Sequence, residues 1–358
     1  MSVSLDAVRV ALRSGDSTAA TRLCRELIAS GASSGAWQML AAAEQGLGDR
    51  AAARQALESA AGLAPDDPGP PIQLARLDIA EGRREEAVVR LRAVAASPTA
   101  GPAHVNSAGE GLGNLGLIGE AERCFRQALA SDPTFRLAQL NLALARLASG
   151  DPDEAAGLLR SVVGARPDLA PAWLHLGGAL NSLGRYGEAA EALRRNLRLE
   201  PGNPVALTWL GAACQHMGDF AEAERQYRAA LAADASSADA NTNLGKLLQA
   251  QGDRRGAATH FGRALDAEPG HVQARSGLAA WLDNEGRYEE ALALTEPDKT
   301  GVEWPELAPI RARILRHLGR PGEALTGLRV ALADPRHGAD LSVQLRFSLA
   351  DVLDETGE

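Results

Sequence analysis

Aromatic side chains are scarce in this chain. Phe, Trp and Tyr make up 4% of its 358 residues, so a core has to come mainly from alanine and leucine. The three cysteines, Cys24, Cys124 and Cys214, stand singly. Without CxxC spacing they offer no zinc knuckle, and an odd count suits free thiols in a reducing, cytoplasmic compartment. No stretch approaches the roughly 18 apolar residues of a membrane span. The start MSVSLDAVRV lacks a basic segment followed by an apolar run, so neither export nor anchoring is expected from it. Basic charge is short as well: 37 Lys and Arg face 46 Asp and Glu, for a net charge of −9. With acids interspersed among the arginines there is no basic stripe for nucleic acid.

Motifs for chemistry are missing too. GLGNLG, residues 111–116, matches GxGxxG, but that fingerprint needs a strand before it and a helix after it, and here it falls inside a helical pattern. The histidines, His104, His175, His216, His260, His271, His317 and His337, form no HxxxH pair and have no carboxylate at ligand spacing, which leaves no metal site to propose. No Ser, His and Asp grouping marks a nucleophile. No cofactor is expected, and the chain itself is not read as an enzyme.

What the sequence has is a period. Glycine recurs at Gly15, Gly48, Gly82, Gly116, Gly150, Gly184, Gly218, Gly252, Gly286 and Gly319, in steps of 33 or 34, and each is followed five residues later by alanine, from Ala20 to Ala324. Length alone suggests about two domains, but a repeat array overrides that prior because each unit packs on its neighbours. The boundaries read as 1–33, 34–67, 68–101, 102–135, 136–169, 170–203, 204–237, 238–271, 272–304 and 305–338, with 339–358 as the first helix of an eleventh repeat or a cap. Within one repeat, Trp173, Leu176, Leu180 and Leu183 recur at helical spacing and Gly184 ends the helix. Ala189, Leu193 and Leu197 then form a second stripe that stops before Pro201. Each unit is therefore predicted as helix, turn, helix, in an all-α protein.

These residues resemble the tetratricopeptide repeat (TPR) over the chain from about Leu5 to Glu358. The resemblance rests on Trp37 and Trp173, on Leu142, Leu176, Leu210, Leu244 and Leu278, and on the small residues Gly109, Gly177, Gly211 and Gly245. Phe125, Tyr227 and Phe261 and the prolines Pro65, Pro133, Pro167, Pro201 and Pro269 complete it. It departs where the family often carries a tyrosine and this chain has Leu112, Leu180, Cys214, Leu248 and Leu282. What the resemblance implies is a right-handed superhelix, or α-solenoid, whose first helices line a concave groove for a peptide or partner protein, with self-association also open. The family's carboxylate clamp of several Lys and Arg is not present.

First-helix positions not needed for packing supply the candidate groove: Asn141, His175, Asn181, Gln215, His216, Asn243, Lys246 and Gln249. Amides prevail, and each offers a donor and an acceptor to an extended peptide backbone. The helix around residues 105–115 carries Gly109, Gly111 and Gly113. It is expected to be the weakest of the array, with Gly111→Ala stabilising it if there is room. Arg311, Arg313, Arg316, His317 and Arg320 could hold an anion, but Asp351, Asp354 and Glu355 are expected to neutralise them.

Two irregularities remain. Pro297 cuts the second helix of the ninth repeat, and a loop over residues 296–304 replaces its last turn, with Trp304 expected to pack on the neighbouring helix. The last helix keeps Leu345, Leu349, Val352 and Leu353 on one side and reaches Gly357 at the phase of the earlier turn glycines. The chain thus reads as part of a longer protein. QLRFSLADVLDETGE also resembles the final repeat of bacterial TPR–sulfotransferase fusions, which would make this the substrate-recruiting region of a larger transferase.

Overall fold

A computed structural model of the chain describes residues 4–31, 33–296, 304–334 and 338–356. It forms two compact units, Met1–Ala179 and Leu180–Glu358. The described residues are α-helical, with one 3-10 turn at Pro305–Leu307 and no strand among them. The first unit holds α1 (Leu5–Arg13), α2 (Ser17–Ser30), α3 (Ser34–Gly46), α4 (Arg50–Leu63), α5 (Gly69–Ala80), α6 (Arg84–Ala96), α7 (Pro102–Asn114), α8 (Ile118–Ser131), α9 (Arg136–Ala148) and α10 (Pro152–Ala165). After α11 (Ala170–Ser182), the second unit holds α12 (Tyr186–Leu199), α13 (Pro204–His216), α14 (Phe220–Ala233), α15 (Ala238–Ala250), α16 (Arg254–Ala267), α17 (Val272–Asn284), α18 (Tyr288–Ala293), α19 (Ala308–His317), α20 (Pro321–Ala333) and α21 (Ala339–Thr356).

The periodic glycines make the turns. All ten sit at φ between +71° and +90°, a left-handed conformation in which a Cβ is strained, so glycine is the residue that lets a first helix reverse into a second. Asp16, Asp49, Asp151, Asp219 and Asp253 then cap the following helix, each side chain accepting from the backbone amide three residues on. The periodic alanines are packed to 2% exposure or less, because a larger side chain there would push the paired helices apart.

The second small position serves the aromatics. A Cβ on Gly109 would stand 2.7 Å from the Phe125 ring, one on Gly211 2.6 Å from Tyr227, and one on Gly245 2.7 Å from Phe261. In each pair the ring lies over glycine backbone, and the rings themselves are 4% exposed or less. This decides the condition attached to Gly111→Ala in the glycine-rich helix α7. Gly111 has no spare room, since its Cβ would meet the Leu91 methyl at 2.7 Å, and Leu91 is itself 1% exposed. Two of the three glycines, Gly109 and Gly111, admit neighbouring side chains rather than leave a gap.

The irregular repeat is visible in α18, six residues long where α12, α14 and α16 have 14. The expected loop from Pro297 to Glu303, and likewise Gly357 and His337, lie outside the described residues. Trp304 is half-buried, with the Arg275 guanidinium 4.4 Å from its ring centre, while Arg275 donates to the carbonyls of Leu294 (2.7 Å) and Glu296 (2.9 Å). Beside it a cavity of about 350 Å³ lies between α19, α20 and Trp304. In α21, Leu345 and Val352 are buried, whereas Phe347 is 69% exposed.

Buried acids tie helices together within each unit. Asp78 on α5 accepts from Arg54 Nη2 (2.7 Å), Arg83 Nε (3.0 Å) and Arg90 Nε (2.9 Å). Asp283 on α17 accepts from Arg313 Nε (2.8 Å) and His317 Nδ1 (2.7 Å). Three members of the basic cluster near the C-terminus, Arg313, His317 and Arg320, are paired with acids other than Asp351 and Asp354. Arg313 and His317 turn to Asp283 of the preceding repeat, Arg320 pairs with Glu323 at 2.6 Å, and Arg311 donates to the Thr295 carbonyl at 3.3 Å.

Candidate functional site

The eight groove candidates divide between the units, Asn141 and His175 falling in residues 1–179 and the other six in residues 180–358. In the first unit, Asn141 Nδ2 donates to Asn106 Oδ1 (3.0 Å) and to Glu110 Oε1 (2.8 Å), and Asn106 Nδ2 donates to the same Glu110 oxygen (3.0 Å). Asn106 is 1% exposed. A carboxylate only accepts, so Glu110 gathers the amide donors around it, and the donors of Asn141 are already engaged. His175 is half-buried, and burial pushes its pKa below the usual histidine range, which holds the ring neutral.

In the second unit, Asn181 Nδ2 donates to the Trp209 carbonyl at 3.0 Å, and its Oδ1 is buried without a partner. Gln215 Oε1 accepts from the Tyr227 hydroxyl at 3.0 Å, so this amide anchors an aromatic core residue. His216 is exposed and stacks flat on Tyr186, with ring centres 4.3 Å apart and planes within 3°. Gln249 is exposed.

Asn243 and Lys246, one turn apart on α15, remain. Both are half-buried. The Asn243 side chain makes no hydrogen bond to any described residue, while Lys246 Nζ donates to Gln273 Oε1 on α17. Burial pushes the Lys246 ammonium below its ordinary pKa, with Asp239 acting the other way. Trp209 on α13 is not among the candidates that the sequence supplies, because an aromatic at helical spacing reads as core. It is half-buried and stands 34 residues before Asn243, at the same position of its repeat, and that spacing is the signal that could have found it.

A grouping that imitates a nucleophile relay occurs here as well. Thr242 Oγ1 lies 3.4 Å from His271 Nδ1, and His271 Nε2 lies 3.2 Å from Asp239 Oδ1. Thr242 is 1% exposed, and His271 Nδ1 already accepts from the Ala274 amide at 3.3 Å as the cap of α17. A substrate could not reach the hydroxyl, and the base is occupied, so the arrangement caps a helix rather than activating a nucleophile. Among the described residues no group of His, Cys, Asp and Glu is placed to hold a metal ion, and no helix is long and apolar enough to cross a membrane.

Two tetratricopeptide-repeat family models match the chain, one at residues 106–170 and 140–204 and the other at 46–104, 180–247 and 248–297. The chain belongs to the tetratricopeptide-repeat family, a family of protein-interaction scaffolds. No curated protein matches it. Among solved structures it is similar to a tetratricopeptide repeat protein from Parabacteroides merdae, at 17% identity over 69% of this chain and 98% of that one, with a TM-score of 0.56. It is also similar to a thermophilic TPR protein of Thermus thermophilus, at 22% identity over 51% of this chain and 98% of the other, with a TM-score of 0.44. A third is YrrB, described as a TPR protein with an unusual peptide-binding site, at 20% identity over 51% and 95% of the two chains and a TM-score of 0.43. At these identities the likeness shows the fold alone.

Proposed function

We propose that residues 180–358 bind an extended polypeptide on their first-helix face, at Trp209, Asn243 and Lys246, and that the chain works as a peptide-binding scaffold without chemistry of its own. The observation that carries this reading is Asn243, an amide on a half-buried face whose donors and acceptor meet no partner among the described residues. Such an amide is available, and a peptide backbone offers both an acceptor and a donor for it. Trp209 adds an apolar surface at the equivalent place one repeat earlier, the kind of large, rigid side chain that anchors interfaces. Peptides selected from a random dodecapeptide library on the immobilised chain provide the probe. Asn243→Ala should weaken such a peptide by about 1 kcal/mol, roughly fivefold in Kd, and Trp209→Ala by about 2 kcal/mol, as read by fluorescence anisotropy with helicity unchanged. Equal affinity for the parent and both variants would rule the site out.

A further inference from the structure

Helix α21 leaves bare a face that its counterparts cover. Counting back from Gly357 as from the other turn glycines, Leu345 and Val352 take the places that Ala240 and Leu247 hold before Gly252, and all four are buried. The register is therefore the same. Further round the helix, Ala350 takes the place of Gly109, Gly211 and Gly245, over which the following second helix lays Phe125, Tyr227 and Phe261. Phe347 takes the place of Asn106, Thr208 and Thr242, which are buried. In α21 these positions are open. Phe347 is 69% exposed, and Val343, Arg346, Ala350 and Asp354 are exposed with it, at the three- and four-residue spacing of one helix face. Among the described residues the side chains of Arg346 and Asp354 take part in no ion pair or hydrogen bond.

We propose that this face of α21 pairs with the same face of a second copy of the chain, antiparallel, about a two-fold axis through Ala350. The stripe is symmetric about that residue. Arg346 and Asp354 each stand four residues from Ala350, and Phe347 and Leu353 each stand three, so the two-fold sets Arg346 against Asp354 of the second copy and Phe347 against its half-buried Leu353. Every such contact occurs twice. Each guanidinium then meets a carboxylate, whereas a parallel pairing would oppose Arg346 to Arg346 and Asp354 to Asp354. Alanine at the crossing lets the two helices approach closely. The Phe347 ring of one copy reaches over the small residue of the other, as Phe125 and Phe261 lie over Gly109 and Gly245 within a copy. One helix face falls short of the roughly 1,200 Å² of a standard interface, so the association is weak and depends on concentration. It involves none of Trp209, Asn243 and Lys246 and does not rest on the peptide-binding reading.

The test is sedimentation equilibrium of the full chain from about 5 to about 500 µM, over which the apparent mass should climb from one copy towards two. Phe347→Asp, at a site exposed enough to leave helicity unchanged, should weaken the association at least about tenfold. Arg346→Asp and Asp354→Arg should each weaken it about tenfold, because each turns two attractions into two repulsions. Their equimolar mixture should associate more tightly than either variant alone, since in a mixed pair both contacts set an Asp against an Arg. A general effect of net charge would instead favour the less acidic variant on its own. A mass of one copy over the whole range overturns the proposal. Association undiminished by Phe347→Asp overturns the interface, and a mixture no tighter than its better component overturns the antiparallel pairing.

Discussion

Helices α7 and α15 stand at the same place in their repeats, each leading to a turn glycine, Gly116 and Gly252, and their polar faces behave oppositely. Counting back from the turn, Gly109 matches Gly245, and each admits a ring, from Phe125 and Phe261. One residue on, Glu110 matches Lys246. The residues around them differ as well, since the positions of Asn106 and Asn141 are taken near Lys246 by Thr242 and Gly277. Glu110 accepts from Asn106 and Asn141, and the amides of the first unit close on it. Lys246 can only donate, so the nearby Asn243 finds no acceptor in it, and the ammonium reaches for Gln273 instead. Register fixes where a side chain emerges, but whether it is available to a partner depends on whether its neighbours are donors or acceptors.

The largest effect should come where the two helices agree. Gly109→Ala and Gly245→Ala each place a methyl within 2.7 Å of a ring. Each should lose about 2–3 kcal/mol of stability by overpacking, as measured by urea unfolding. A loss in one helix only would show that the two are not built alike. A smaller effect should appear where they differ. Glu110→Ala leaves the buried Asn106 amide without its acceptor and should lose about 2 kcal/mol. Asn243→Ala removes no internal bond and should stay within about 0.5 kcal/mol. Similar losses for these two variants would remove the distinction between a closed and an open polar face.

The turns were legible in the sequence because a positive φ admits little besides glycine, so the requirement is written at every repeat. The periodic alanines, the caps at Asp16 and Asp219, and the rings over Gly211 and Gly245 follow from the same register. Asn141 and Asn243 could not be told apart that way. They are the same residue at the same repeat position, and what separates them is the residue 31 positions earlier, Glu110 for Asn141 and Ala212 for Asn243. The buried Asp78 was equally hidden, since its three arginines come from α4, the turn before α6 and α6 itself, and only the fold brings them to one carboxylate. The loss of room at Gly111 depends on Leu91 from the previous repeat, a contact that no local pattern records.

The finest difference between α7 and α15 lies three residues before the turn, where Gly113 matches Gln249. Unlike Gly109 and Gly111, Gly113 has ordinary space, because an added Cβ would meet the Ala121 methyl at 3.6 Å, a normal van der Waals contact. Its backbone lies inside α7 with negative φ, and no positive-φ requirement applies to it. Glycine there keeps the conformational freedom of the unfolded chain without granting a neighbour any closer approach, so alanine should be better by just under about 1 kcal/mol, the difference in helix propensity. Gly113→Ala is therefore expected to raise the unfolding midpoint of the first unit and to slow amide exchange in α7. Gly111→Ala, with the same propensity gain, has to displace the Leu91 side chain and should come out no better than the parent. A Gly111→Ala protein as stable as Gly113→Ala would mean that Leu91 yields readily and that the tight fit around α7 is not what holds that helix in place.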